Sequence, residues 1–193
     1  MQQHEDMRWI EAQIAEHEVM LASVKDQVST LAQIADLMVE SLQSGGKILF
    51  CGNGGSAADA QHWAAELTGR FFFNREPLAG LALTTNTSEI TAIGNDYGYE
   101  HVFTRPLTAL GKRGDVLIGI STSGNSKNVV LAFEKAREMG IHTVGFTGAK
   151  AADMNKVSDY FIKIDAPNTA RIQEGHELCA HILFGLVEKR IFA

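Results

Sequence analysis

Apolar residues recur at helical spacing through the N-terminal part of the chain. From residue 6 to residue 43 they fall three or four positions apart without a proline, which predicts helix. A break within residues 23–26 divides this stretch into two predicted helices. The glycine pair Gly45 and Gly46 then ends the region. So long an apolar stripe ahead of the first strand needs a partner surface, either the domain's own sheet or another subunit.

Beyond Gly46 the pattern changes to short apolar runs that alternate with helical stretches. Strands are predicted at residues 47–51, 81–84, 116–120, 143–146 and 160–164. Helices are predicted at residues 56–70, 88–93, 100–110, 127–139 and 171–192. Because continuous apolar strands are typical of sheets buried on both faces, this order predicts an α/β fold. We expect a three-layer sandwich with a mainly parallel five-stranded sheet, preceded by N-terminal helices.

Composition indicates a soluble, globular protein. The chain has 193 residues, of which 45% are hydrophobic and 21% are charged. A net charge of -6 argues against nucleic acid or an anionic membrane as partner. The first residues are polar and acidic, unlike a signal peptide, and no apolar run approaches the ~20 residues that span a bilayer. With Cys51 and Cys179 expected as reduced core thiols, the sequence predicts a cytoplasmic protein.

A loop rich in hydroxyl groups, the serine loop (residues 121–126), lies where the third predicted strand turns into a helix. It contains Ser121, Thr122, Ser123 and Ser126. A helix N-terminus offers unpaired N–H groups and the positive end of the helix dipole, which favours an anion. Hydroxyls add donors without a counter-charge. We expect the loop to hold a small phosphate ester, because an ordinary helix cap, the simpler explanation, needs one hydroxyl and not four.

The first predicted strand runs into a second candidate loop, the glycine turn (residues 52–56). Gly52, Gly54 and Ala57 satisfy the spacing of a dinucleotide-binding fingerprint. However, the second strand ends without the carboxylate that such a site uses for the ribose, and no P-loop lysine follows the glycines. The remaining interpretation is a tight turn whose backbone approaches a ligand. In a parallel sheet this turn and the serine loop share the carboxyl edge.

Two pairs of residues at helical spacing carry candidate chemistry. His62 and Glu66 are four apart and share one helix face, so they suit a divalent metal or a base with its orienting partner. A surface ion pair explains the same spacing. Glu177 and His181 repeat it in the last helix, where His181 is either a core histidine or part of a second metal pair.

A short polar segment interrupts an apolar region between the second and third strands. Asn95 and Asp96 stand there between Gly94 and Gly98. The default interpretation of such a segment is a turn. If the turn reaches the carboxyl edge, the two side chains are candidate ligands for sugar hydroxyls.

Together these motifs resemble the phosphoheptose isomerase family of the sugar isomerase (SIS) domain superfamily. The motifs are, in chain order, Gly52-Asn53-Gly54-Gly55-Ser56, Gln61-His62 with Glu66-Leu67, Gly94-Asn95-Asp96, Ser121-Thr122-Ser123-Gly124-Asn125-Ser126 and Arg171-Ile172-Gln173-Glu174. The resemblance covers nearly the whole chain. It implies a single, flavodoxin-like SIS domain over residues 1–193, in which residues 1–45 form a helical extension used in oligomer packing.

The resemblance also implies roles for individual residues. Substrate would be bound by Asn53, Gly54, Gly55, Ser56, Glu66, Asn95, Asp96, Ser121, Thr122, Ser123, Ser126 and Gln173. Glu66 and His181 would be the acid/base pair. Zinc, one ion per subunit, would be held by His62, Glu66, Gln173 and His181. The resemblance also implies a homotetramer whose active sites lie near subunit interfaces.

The implied reaction converts sedoheptulose 7-phosphate to D-glycero-D-manno-heptose 7-phosphate through an enediol. In the family this step opens the route to ADP- or GDP-heptose for lipopolysaccharide or another surface polysaccharide. The alternative is a non-catalytic SIS protein of the kind that associates with a replication initiator. Such proteins are expected to lack the acid/base pair, whereas Glu66 and His181 are both present here.

One expectation about the zinc ligands follows from helix geometry. Gln173 and His181 are eight residues apart, so a straight helix separates them by about 12 Å along its axis. Zinc ligands lie only about 2.0–2.3 Å from the ion. Either the chain is not helical at Gln173, or the two residues on one ion come from different subunits. We favour a site completed across an interface.

Overall fold

A computed structural model describes residues 2–150 and 152–193, and its centre is a five-stranded sheet. The strands are β1 (Ile48–Gly52), β2 (Gly80–Ala82), β3 (Val116–Ser121), β4 (His142–Gly148) and β5 (Tyr160–Ile164). All neighbours are parallel, in the order β2-β1-β3-β4-β5. In the register, Ile48 lies opposite both Gly80 and Val116, and Val116 lies opposite His142. This is the flavodoxin-like strand order.

Helices cover both faces of the sheet. One face carries α1 (Gln2–Lys25), α2 (Val28–Gln43), α3 (Gly55–Thr68) and α8 (Thr169–Phe192). The other carries α4 (Thr87–Tyr97), a 3₁₀ turn (Tyr99–His101), α5 (Thr104–Leu110), α6 (Lys127–Met139) and α7 (Met154–Val157). The predicted three-layer α/β sandwich is therefore confirmed. None of the helices in the described part of the chain combines the length and apolarity that crossing a membrane requires.

The strand β1 shows how one buried strand serves two cores. All of its residues are buried, which explains its continuous apolar sequence. Because side chains alternate across a strand, Phe50 packs on the α3 and α8 side while Leu49 packs on the other. The rings of Trp63 from α3 and Phe184 from α8 lie 6.2 and 6.3 Å from the Phe50 ring. Through these aromatic contacts, α3 and α8 pack side by side on β1.

The segment after β2 differs from its prediction. The strand β2 is shorter than expected, and α4 begins at Thr87 because the Asn86 side chain caps it by accepting from the Glu89 N–H at 3.1 Å. The helix also continues to Tyr97. The default interpretation of Asn95 and Asp96 as a turn is therefore wrong, since both lie in the last turn of α4.

The predicted helix at residues 100–110 is also divided. A 3₁₀ turn ends at His101, and α5 begins at Thr104. Pro106 gives the physical reason: it has no N–H to bond back into a continuous helix, but it is tolerated in the first turn of α5. The short helix α7 was not predicted at all.

The N-terminal part of α1 stands away from the core. Its large apolar side chains there are between 50% and 66% exposed, and they are Met7, Trp9, Ile10, Ile14 and Val19. Met20 and Val24, in contrast, are buried with α2 against the sheet. The predicted extension (residues 1–45) is thus part core and part exposed apolar helix, and Met1 lies outside the described residues. The break between α1 and α2 falls at Asp26 and Gln27.

Glu188 is a buried carboxylate near the end of α8. Its oxygens accept from the N–H groups of residues 71–73 and from Arg75 Nε at 2.6–3.0 Å. Burial raises the pKa of Glu188, but these donors outweigh burial and hold the pKa below its ordinary value. Arg75 in turn donates to the carbonyls of Glu66 and Leu67 at 2.8 and 2.9 Å. The pair therefore fastens the end of α3 to α8.

His176 is fully buried on the sheet side of α8. Its Nε2 lies 3.1 Å from the carbonyl oxygen of Thr147, and its ring meets Phe146 edge-on at 5.6 Å between centroids. Burial lowers the pKa of His176 to about 4, although the Thr147 carbonyl acts in the opposite direction. The side chain is a neutral part of the core at neutral pH.

We expect His176 to make the fold sensitive to acid. The unfolded chain binds a proton at this imidazole near pH 6.5, whereas the folded chain binds it only near pH 4. The unfolded state therefore holds more protons between these values, and the free energy of unfolding falls by about 3 kcal/mol as the pH is lowered through that window. Urea unfolding of wild type and His176→Gln from pH 7.5 to 4 measures this. Equal pH slopes for the two proteins would contradict it.

Candidate functional site at the carboxyl edge

The glycine turn and the serine loop lie next to each other at the carboxyl edge of the sheet. The glycine turn follows β1, the serine loop follows β3, and β1 and β3 are paired neighbours. The order of strands reverses between them. In open α/β sheets this is the position where ligands bind. Both loops singled out in the sequence therefore face the same crevice.

The hydroxyl groups of the serine loop converge. Ser121 Oγ lies 2.8 Å from Ser126 Oγ and 3.4 Å from Ser123 Oγ. The N–H of Gly124 donates to Ser121 Oγ at 3.1 Å, and its φ of 66° closes the turn in the left-handed region that favours glycine. Ser126 is the N-cap of α6, but its hydroxyl makes no capping bond. The hydroxyls therefore face the loop and leave the start of α6 open to an anion.

A pair of asparagines ties the glycine turn to α6. The side-chain amides of Asn53 and Asn128 each donate to the other at 2.9 Å. The Tyr99 hydroxyl also donates to Asn53 Oδ1, at 3.1 Å. The Asn53 side chain, predicted to bind substrate, is thus already held by two residues that the sequence did not single out. The available signal was Asn128, a polar residue at the second position of a helix that follows a candidate ligand loop.

Helices α3 and α8 begin at this edge and run side by side in the same direction. Near their starts, Gln173 packs on one side of Gly55, where an added Cβ would lie 2.5 Å from Gln173 Nε2. Further along, His62 Nδ1 lies 3.0 Å from Glu177 Oε1. Residues at matching heights on the two helices therefore face each other.

Between the two helices, His62, Glu66 and His181 come together. One candidate ligand atom from each lies within 4.8 Å of the others. His62 Nε2 is 2.9 Å from Glu66 Oε1, and the two imidazole rings meet at 5.4 Å between centroids. Two imidazoles and one carboxylate are a donor set that zinc accepts. Three of the four predicted metal ligands thus meet within one chain.

The fourth predicted ligand, Gln173, lies apart from this group. The helix α8 is continuous from Thr169 to Phe192, so the possibility that the chain is not helical at Gln173 is wrong. Gln173 packs on Gly55, about 12 Å along the helix axis from His181. Completion of the site by a second subunit stays a prediction.

Comparison with known proteins agrees with the α/β fold. The SIS domain family model matches residues 14–148. The chain is 48% identical to the phosphoheptose isomerase of Burkholderia pseudomallei (strain 1710b), over 98% of each protein. It belongs to the phosphoheptose isomerase family. The enzyme of Rhodospirillum rubrum is 53% identical over 84% of this chain and 87% of its own length.

Solved structures of this family have the same fold. The phosphoheptose isomerase of Neisseria gonorrhoeae superposes with a TM-score of 0.89 at 44% identity, over 95% of this chain and 98% of that one. The phosphoheptose isomerase of Francisella tularensis also gives 0.89, at 32% identity, over 98% of this chain and 99% of its own. The overall fold is therefore that of phosphoheptose isomerases.

The remaining residues that the family resemblance singled out have mixed surroundings. Gly54, with a φ of 57°, and Gly55 are exposed at the turn, whereas Ser56 is only 3% exposed in the first turn of α3. Asn95 and Asp96 are exposed, and Asn95 Nδ2 donates to Asp96 Oδ1 at 2.8 Å. Exposure leaves all but Ser56 open to a ligand.

Two further carboxylates belong to the polar surface between α3 and α8. Sequence analysis did not assign Asp59, and it considered Glu177 only as a partner of His181. Burial raises the pKa of Asp59 to about 6, with a further increase from the Glu177 carboxylate and an opposing effect of His62. The signal was present in the spacing, since Asp59 precedes His62 by three residues and so shares its helix face.

We expect inorganic phosphate to bind at the serine loop. Ser126→Ala should weaken its binding roughly 10-fold or more, because a hydrogen bond to a charged group contributes about 1.5–3 kcal/mol. Isothermal titration calorimetry measures the change. Ser88→Ala is the matched control, since it removes an exposed hydroxyl from the first turn of α4. Equal phosphate affinity of the two variants would contradict the assignment.

Proposed function

We propose that this chain is an isomerase that converts sedoheptulose 7-phosphate to D-glycero-D-manno-heptose 7-phosphate. The observation that carries the proposal is the meeting of His62, Glu66 and His181 between α3 and α8, in a chain whose carboxyl edge bears the serine loop. An acid/base group and a phosphate cradle are what an aldose–ketose isomerase of a sugar phosphate needs, and packing of subunits would bring the two together in one active site. Relatives that carry the name phosphoheptose isomerase support the same substrate.

The serine loop would anchor the phosphate at the far end of the sugar. Its hydroxyls and the open N-terminus of α6 donate to phosphate oxygens. Asn53 and Gly54 of the glycine turn, with Asn95 and Asp96, would contact the sugar chain. Binding energy from these remote contacts would hold the reacting carbons between α3 and α8.

The reaction moves one hydrogen between adjacent carbons. As we assign the roles, Glu66 takes a proton from C1, the C–H electron pair becomes the C1=C2 bond, and His181 gives a proton to the C2 carbonyl oxygen. The resulting enediol then receives a proton at C2, while the hydroxyl on C1 loses its proton and becomes the aldehyde. Atoms and charge balance without a redox cofactor. Positioned proton transfer of this kind contributes about 10²–10⁴-fold in rate.

Zinc fits the donor set, with one ion per subunit. His62, Glu66 and His181 would hold it, and the partner subunit's Gln173 would complete the set because this chain's own Gln173 is separated from His181 by two helical turns. When bound, the metal would supply Lewis-acid stabilisation of negative charge on the substrate oxygens. Coordination lowers the basicity of a carboxylate, so Glu66 would act as base only when it is not a ligand.

A homotetramer of single SIS domains is the assembly we propose. The exposed apolar side chains at the start of α1, such as Trp9 and Ile14, support oligomer packing by residues 1–45. The product would feed ADP- or GDP-heptose synthesis for lipopolysaccharide or another surface polysaccharide. Two buried free thiols, Cys51 and Cys179, support the cytoplasm as the compartment.

Glu66→Gln should abolish turnover of sedoheptulose 7-phosphate and leave the substrate Kd within a few-fold of wild type. The amide keeps the size of the side chain but cannot take the C1 proton. A coupled assay for heptose 7-phosphate and a calorimetric titration measure the two effects. Retained activity would remove Glu66 as the base. No turnover by well-folded, zinc-loaded wild type would instead favour the non-catalytic SIS alternative.

Ile14→Glu should disrupt the tetramer. A charge in a buried apolar contact is costly, so the variant should sediment as smaller species at concentrations where wild type is tetrameric. Gln3→Glu adds the same charge to an exposed polar position of α1 and serves as control. Analytical ultracentrifugation reports the species. A tetramer that tolerates both changes equally would contradict a role for this face.

A further inference from the structure

Glu177 lies between the two histidines of the site. Its Oε1 is 3.0 Å from His62 Nδ1 and 2.9 Å from His181 Nε2. Its second oxygen accepts from the indole N–H of Trp63 at 2.7 Å. One carboxylate therefore contacts both imidazoles and a core side chain of α3.

The surroundings of this carboxylate restrict what it can do. Glu177 Oε1 is shielded from solvent and makes no well-aligned hydrogen bond within the described residues, although a buried carboxylate oxygen requires a donor. Within residues 2–150 and 152–193, the imidazoles of His62 and His181 are the donor groups found beside that atom. Trp63 is fully buried, so its indole fixes the carboxylate in place. Glu177 is thus a rigid acceptor and not a mobile surface charge.

The contact has a direct consequence for His62. An imidazole that donates from Nδ1 has its Nε2 free as an acceptor or ligand. His62 Nε2 is the atom that lies 2.9 Å from Glu66 Oε1, a direct hydrogen-bond distance, whereas two ligands of one tetrahedral zinc ion would stand about 3.4 Å apart, so a small shift of either side chain would admit the ion. Histidine ligands ordinarily donate their second ring N–H to a carboxylate, which fixes the tautomer and the orientation of the ring.

We propose that Glu177 is a positioning residue that orients His62 and His181 for metal binding and proton transfer. It accepts from one ring nitrogen of each and leaves the other free for the metal or the substrate. The role in proton transfer rests on the proposed function, whereas the orientation of the two imidazoles does not. Glu177 itself is not assigned contact with the substrate.

Two variants distinguish the effect of the Glu177 acceptor oxygen from the effect of its negative charge. Glu177→Gln and Glu177→Leu both remove the negative charge, but only Gln keeps an oxygen that accepts from His62 Nδ1. Zinc affinity of the metal-free protein, measured by competition with a chelating dye, should fall about 10–100-fold in Glu177→Leu and clearly less in Glu177→Gln. Long-range ¹⁵N–¹H spectra of the histidine rings should show His62 protonated at Nδ1 in wild type and Glu177→Gln, and this preference lost in Glu177→Leu.

The possible results discriminate clearly. Wild-type zinc affinity and an unchanged His62 ring spectrum in Glu177→Leu would overturn the proposal, and so would equal losses in both variants with the tautomer unchanged. If wild type binds no zinc, the His62 spectrum decides alone. Neither readout uses the heptose substrate. An inactive wild type whose His62 tautomer still depends on residue 177 would therefore overturn the isomerase function and leave the role of Glu177 standing.

Discussion

The packing of α3 against α8, side by side and in the same direction, is the constraint on which the rest of the site depends. On the sheet side, Trp63 and Phe184 enclose Phe50. At the far end, the buried Glu188 and Arg75 pair joins the segment after α3 to α8. Removing one partner from such a pair is strongly destabilising because it leaves an uncompensated buried charge. The two helices are thus held at both the core face and the far end.

The parallel alignment of α3 and α8 also explains why polar side chains of the two helices contact each other directly. Each helix repeats its outward face every three or four residues, so matching stripes face each other along the shared length. Asp59, His62 and Glu66 form the stripe on α3, and Gln173, Glu177 and His181 form the stripe on α8. Both N-termini point to the ligand edge, where their dipoles favour an anion although the chain carries a net charge of -6.

Sequence patterns predicted the strands of the sheet and the two candidate loops, but they did not predict the contacts between helices. The apolar runs of β1 and β3 predict strands because burial on both faces removes polar positions. The end of α4 was missed because Asn95 and Asp96 favour turns locally, whereas the helix runs through both of them to Tyr97. His62 and Glu66 could be placed on one face by spacing alone. The contact of Glu177 with His62 depends on how far α8 is rotated against α3, which the packing of Trp63 and Phe184 decides.

The serine loop has a consequence for how the crevice responds to the ionic medium. Its donors are neutral hydroxyls and backbone N–H groups, and the cation nearest in sequence, Lys127, is already 3.2 Å from the Glu100 carboxylate. Dissolved ions screen attraction between opposite charges across the surface far more than they weaken short hydrogen bonds. A phosphate bound as we propose would therefore lose little affinity as the ionic strength rises. The loop would then select a phosphate mainly through directed hydrogen bonds, with Lys150 lining the pocket beside it.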